Sequence, residues 1–119
     1  MQDWERPVVA FEIRGRDSKR LREFYGELFN WKIEDGPLPN VARIAPGQGG
    51  PVEGVGGVLL QADAPAVLVY VQVANLQETL TRVEQMGGKT VLPPFDVPGG
   101  PTIAQIQDPE GSLIGLIQQ

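Results

Sequence analysis

Apolar and polar residues alternate from Pro7 to Arg14, the period of a half-buried β-strand. Val9, Phe11 and Ile13 share one face of it; Val8, Ala10, Glu12 and Arg14 share the other. The period then changes. Leu21, Phe24, Tyr25 and Leu28 recur at three- and four-residue spacing, which predicts a helix with a single apolar stripe. Asp17 is placed to cap its start, and Asn30 tolerates the left-handed geometry that ends helices. Trp31–Glu34 and Val41–Ala45 read as strands joined across Gly36-Pro37-Leu38-Pro39-Asn40. Gly47-Gln48-Gly49-Gly50-Pro51 is a loop, and Gly54–Gln61 a further strand. The loop is glycine-rich, but no helix and no Gly-Lys-Ser/Thr follows, so it does not read as a phosphate cradle.

The same series then starts again. Ala66–Val73 is a strand, and Asn75 opens a helix whose stripe is Leu76, Leu80 and Val83. Glu78, three residues after Asn75, completes a capping-box pattern, and Gly87-Gly88 ends the helix. Strands follow at Lys89–Leu92, before Pro93-Pro94, and at Thr102–Gln107. A last apolar strand comes after Asp108-Pro109-Glu110-Gly111. That tetrapeptide is a turn: Pro109 presets its backbone dihedral, Asp108 bonds to the amides that follow, and Gly111 accepts positive φ.

Laid over each other at an offset of 58, Val9–Ile13 falls on Val67–Val71, Asp17 on Asn75 and Gly57 on Gly115. The chain therefore reads as one α+β domain, 1–119, of two βαβββ modules at about 7–61 and 66–119. Their economical pairing is a U-shaped, eight-stranded cleft with the helices outside, so that strand faces turned from the helices line the cleft.

Composition narrows the chemistry. The chain has no cysteine and no histidine, so it offers neither thiolate nor imidazole as base or metal ligand. Its net charge of −5 has the wrong sign for a nucleic-acid binder. Arg6, Arg14, Arg16, Lys19, Arg20 and Arg22 gather near the start, where they read as a solvated strand end and helix start. The longest apolar run, Ala66–Val71, is too short for a bilayer, and the first residues lack a leader pattern. A cytoplasmic protein without nucleic-acid or membrane partners is expected.

Asp17, Phe24-Tyr25, Leu28-Phe29-Asn30-Trp31, Gly87-Gly88-Lys89 and the Asp108-Pro109-Glu110-Gly111 turn before Leu113-Ile114-Gly115-Leu116 together resemble the glyoxalase/bleomycin resistance protein/dioxygenase (vicinal oxygen chelate) superfamily. The resemblance implies paired βαβββ modules, within one chain or across two, so a homodimer is possible. It also implies, for the enzymes of the group, a divalent metal held by a His or Gln on each module's first strand and a Glu on each last strand. Carried over, those positions are Ala10, Leu68, Gly115 and Gly57, none with a donor atom. No metal and no cofactor is expected, and metal-dependent glyoxalase or dioxygenase chemistry is not expected either.

The cleft residues follow from alternation. Ala10, Glu12 and Arg14 share one face; Leu68, Tyr70 and Gln72 share its counterpart; Leu59 goes with Gly57, and Gln105 and Gln107 join from a neighbouring strand. A mixed surface of this kind suits a small organic molecule with aromatic and polar parts. Three readings stay open. One is a metal-free binding protein of the bleomycin-resistance type. Another is a metal-independent lyase or isomerase with Glu12 as the only candidate catalytic base. The third is a structural or regulatory module whose cleft is filled by its own side chains. Glu12 paired with Arg14, and Tyr70 as a core residue with a satisfied hydroxyl, are the plainer alternatives for those side chains.

Overall fold

A computed structural model describes residues 4–47 and 54–118. Most of the glycine-rich loop at 47–51 lies outside the described residues. Two compact units divide the chain: one from Ala10 to Leu68, the other from Val69 onward together with the segment up to Val9. No described helix is long and apolar enough to cross a membrane.

The first unit contains β1 (Val8–Gly15, from Ala10 onward), α1 (Ser18–Phe29), β2 (Ile33–Asp35), β3 (Val41–Ile44) and β4 (Gly56–Gln61). Its strand order is β2-β3-β4-β1, with β1 parallel to β4 and the other pairs antiparallel. Asp17 caps α1 by accepting from the Arg20 amide at 3.1 Å, and Asn30 closes it with φ 59°. Ile13, Ala42, Ile44 and Leu59 form the core, with Leu21 and Tyr25 of α1 packed on them together with Phe11, Trp31 and Ile33. Arg22 ties α1 to β2, donating to the Ile33 carbonyl at 2.7 Å and to Asp35 at 2.9 Å.

The helical stripe is only half used. Leu21 and Tyr25 face the sheet, but Phe24 and Leu28 are 55% and 58% exposed. At 100° per residue Phe24 and Leu28 sit on the flank of the stripe, and a sheet this narrow does not reach them.

The second unit repeats the plan with β5 (Ala66–Val73, from Val69 onward), α2 (Leu76–Gln85), β6 (Lys89–Asp96), β7 (Thr102–Gln107) and β8 (Leu113–Gln118). Strand order is β5-β8-β7-β6, with β5 parallel to β8. Asn75 accepts from the Glu78 amide at 2.9 Å to cap α2, and Leu76 and Leu80 bury themselves against Val73, Ala104 and Leu116. Asp108 holds its turn by accepting from the Glu110 and Ser112 amides at 2.9 and 3.0 Å, with Gly111 at φ 95°. The strand expected to stop before Pro93-Pro94 instead runs through them to Asp96. Two register shifts against β7 accompany it, and prolines are tolerated because this edge strand pairs with β7 alone within its unit.

The two modules superimpose less simply than their sequences. β1 and β5 do match at the offset of 58, since Ile13 packs under α1 as its counterpart Val71 packs under α2. The last strands do not. Glu12 pairs with Val58 and Arg14 with Leu60, whereas the matching Tyr70 and Gln72 pair with Gly115 and Ile117. Val58, not Gly57, therefore occupies the register of Gly115, and a slip of one residue exchanges the two faces of a strand. Leu59, expected on the cleft face, is a core residue beneath α1 with no exposure at all.

This register predicts unequal costs for two neighbouring truncations. Leu59→Ala should lower the urea-unfolding free energy by about 2–5 kcal/mol, as for other fully buried leucines. Leu60→Ala, on the other face and only half-buried, should cost less than half as much. Equal costs would contradict the register.

Candidate functional site

The face of the second unit turned from α2 carries Tyr70 and Gln72 from β5, Gly115 and Ile117 from β8, and Gln105 from β7. Tyr70 and Gln105 are 5% and 8% exposed, and the Gln105 Nε2 donates to the Tyr70 hydroxyl at 2.9 Å. Gly115 lies opposite Tyr70, and a Cβ built there would fall 2.4–2.7 Å from three atoms of the Tyr70 ring. No side chain larger than hydrogen leaves room for the ring in that position. Leu68 precedes Tyr70 on the same face of β5 and is 3% exposed. Gln72 is half-buried beside Ile117, and Gln107 lies on β7 opposite Leu113.

On the first unit, the face turned from α1 carries Ala10, Glu12 and Arg14. Glu12 is 4% exposed and accepts from the Arg14 Nε at 2.5 Å, a short charge-assisted bond between same-face neighbours of one strand. Beside Glu12 lies Val58, then Arg43 of β3, then Glu34 of β2, in one row of register partners. Val58, Leu60 and Arg43 belong to this face and were not singled out by the sequence. The alternation of β3 pointed to Arg43, but β4 had been read one residue out of phase. On the second unit Leu92 and Phe95 are likewise additions, set opposite Gln105 and Ile103 by register shifts that composition does not reveal.

Surface hollows of about 480, 510 and 560 Å³ lie elsewhere, beside α1 and α2, and of the predicted site residues only Gln107 lines one of them, the third. They are products of the helix and turn edges. The polar pairs on the opposite strand faces hold the more specific chemistry: a buried carboxylate with a half-buried guanidinium on one unit and a buried phenol–amide pair on the other.

A family model described as the glyoxalase/bleomycin resistance protein/dioxygenase superfamily matches residues 8–116. The chain belongs to this superfamily. A mycobacterial member named "Putative glyoxylase CFP32", from Mycobacterium tuberculosis, is 27% identical over 90% of this chain. The match covers 43% of that relative, so the chain spans less than half its length. Among solved structures, a superfamily member from Vibrio splendidus is similar, with TM-score 0.67 and 15% identity over 97% of this chain and 100% of that one. A methylmalonyl-CoA epimerase from Streptomyces coelicolor, solved with 2-nitronate-propionyl-CoA, has TM-score 0.67 and 16% identity over 95% and 94%. At such identities the likeness establishes the fold alone.

The metal implied by the family does not fit this superfamily member. Ala10, Leu68, Gly115 and Val58 (which replaces Gly57 at the fourth position by register) bring no oxygen, nitrogen or sulfur side-chain ligand. At the third of these positions the space is also taken, since a side chain on residue 115 meets the Tyr70 ring. Among the described residues no group of three or more His, Cys, Asp or Glu could hold a metal.

The packing of Tyr70 on Gly115 is testable by a double-mutant cycle. Gly115→Ala should destabilise the protein by about 1–3 kcal/mol in the native background, as overpacked sites do. In a Tyr70→Ala background the same change should cost about 1–2 kcal/mol less. Additive costs in denaturant titrations would show that the ring does not occupy that space.

Proposed function

We propose that the protein is a metal-free binder of a small organic molecule, of the type the superfamily uses to hold drugs, with the strand face around Tyr70 as its contact surface. The supporting observation is the Tyr70–Gln105 pair. An aromatic ring fixed against a glycine and bonded through its hydroxyl to a buried amide is held rigidly, and although only 5% of Tyr70 is exposed, a ligand that reaches it meets a group already ordered. Gln72, half-buried beside it, extends it with an amide side chain. Binding of this kind needs shape and a few fixed polar groups, and so does not depend on the ligand positions that the chain lacks. A cytoplasmic, cysteine-free protein suits that role.

Glu12 supports a second reading. Glu12 is the one buried acid on the cleft face of a first strand among the described residues, placed to act as a general base without a metal in a lyase or isomerase reaction. Its short bond to Arg14 favours instead a fixed acceptor that orients a ligand donor. Turnover of any bound compound that disappears in Glu12→Gln would make the enzymatic reading the better one.

A thermal-shift screen of planar aromatic and glycopeptide-like compounds tests the main reading. Compounds that raise the melting temperature are expected. Tyr70→Phe, which keeps the ring and removes the hydroxyl, should weaken their binding by roughly 10-fold, the scale of one buried hydrogen bond. A screen without binders, or binders indifferent to Tyr70, would reject the proposal.

A further inference from the structure

Two rows of side chains cross the second unit on the face turned from α2. In one, the register sets Tyr70, Gly115, Gln105 and Leu92 side by side; in the other, Gln72, Ile117, Ile103 and Phe95. The first row is closed on itself, since the ring lies over the glycine and the hydroxyl and amide bond to each other. The second row is open. Phe95 is 42% exposed at one end of it. Gln72, half-buried at the other end, has no hydrogen-bond partner for its side chain among the described residues. Ile117 and Ile103 form an apolar floor between them. Three strand spacings separate the two ends, about 14 Å across the sheet.

An exposed ring on a protein surface is ordinary by itself. Here the backbone is shaped to present it. Side chains three apart on a regular strand point to opposite faces. Leu92 and Phe95 nevertheless stand opposite Gln105 and Ile103, which are two apart on β7 and so share one face. The register shift between them, across Pro93-Pro94, is a bulge that re-aims the second side chain. The next pair fixes the direction. The Thr102 hydroxyl donates to Asp96 at 2.6 Å, on the face of Ala104 beneath α2, so Phe95 points the other way.

Resting on the reading above that this face binds a small molecule, we propose that the ligand lies along the second row. It is an elongated planar compound, with an aromatic end on Phe95 and a primary amide on Gln72. Tyr70 and Gln105 are the fixed row beside it. The probe is para-phenylbenzamide, two rings and one amide, followed by amide NMR. Its titration should move the signals of Gln72, Phe95, Ile103 and Ile117 together. Phe95→Ala should raise its dissociation constant at least ~10-fold, as loss of an aromatic anchor does. The melting temperature should stay near the native one, because the ring is exposed on an edge strand. Phe95→Leu, which keeps apolar bulk without the ring, should also bind more weakly than the native chain. The native protein should prefer the primary amide to its N,N-dimethyl derivative, and Gln72→Leu should abolish that preference, a change that no effect on folding reproduces. Signals that move around Tyr70 but not at Phe95, binding indifferent to both Phe95 variants, or a preference that survives Gln72→Leu would overturn the proposal and leave the binding reading standing. A probe that moves no signal of this face overturns it too, and a thermal-shift screen without binders would remove the reading beneath it.

Discussion

Tyr70 can lie across β8 because position 115 has no side chain. That contact fixes much else on the second unit. The parallel pairing of β5 with β8 sets Tyr70 and Gly115 opposite each other, the ring fills the space above the glycine, and the hydroxyl is thereby presented to Gln105 on the next strand but one. An aromatic ring over a strand glycine offsets the weakness that glycine brings to a sheet. The ring also fills the space at the position where the family resemblance would put a metal-binding glutamate. Glycine brings no donor atom and the ring leaves no room for one, so the chemistry left to the face is aromatic contact and amide hydrogen bonding.

The first unit reaches a similar packing by a different route. Phe11 lies over Gly57, where an added Cβ would come within 2.9 Å of two ring atoms, but on the face turned towards α1. Both units thus pair a first-strand aromatic with a last-strand glycine, on opposite faces. Beyond that, their free faces diverge. One holds Glu12 and Arg14 in a short charged pair with Arg43 and Glu34 nearby in register; the other holds a phenol and amides. A duplicated frame carries two unlike surfaces, as a scaffold does when its structural and functional positions are separable.

Much of this was legible in the sequence, because short-period patterns decide it. Alternation placed Glu12, Arg14, Tyr70 and Gln72 on the faces they occupy, cap chemistry placed Asp17 and Asn75, and the Asp108 turn followed from residue types. The errors share a cause. Gly57 and Gly115 look equivalent because each makes room for an aromatic ring, and matching them by residue type shifted β4 by one position. That shift sent Leu59 to the wrong face, since strand register is set by pairing partners far away in the chain. Likewise, the periodicity of α1 could not tell which half of its stripe the narrow sheet would cover. β6 ran through its prolines because an edge strand asks for fewer amide donors than composition suggested.

Metal content is the most direct measure of the central claim, that side-chain packing has replaced ligation on this frame. Protein purified without chelator should be dialysed against zinc, nickel, manganese and iron in turn, and its bound metal counted by elemental mass spectrometry. No stoichiometric ion should remain, and the melting temperature should not move, whereas a site with metal at a hundredfold excess over its dissociation constant would add about 2.7 kcal/mol. One tightly held divalent ion per chain, with a matching rise in melting temperature, would contradict the claim.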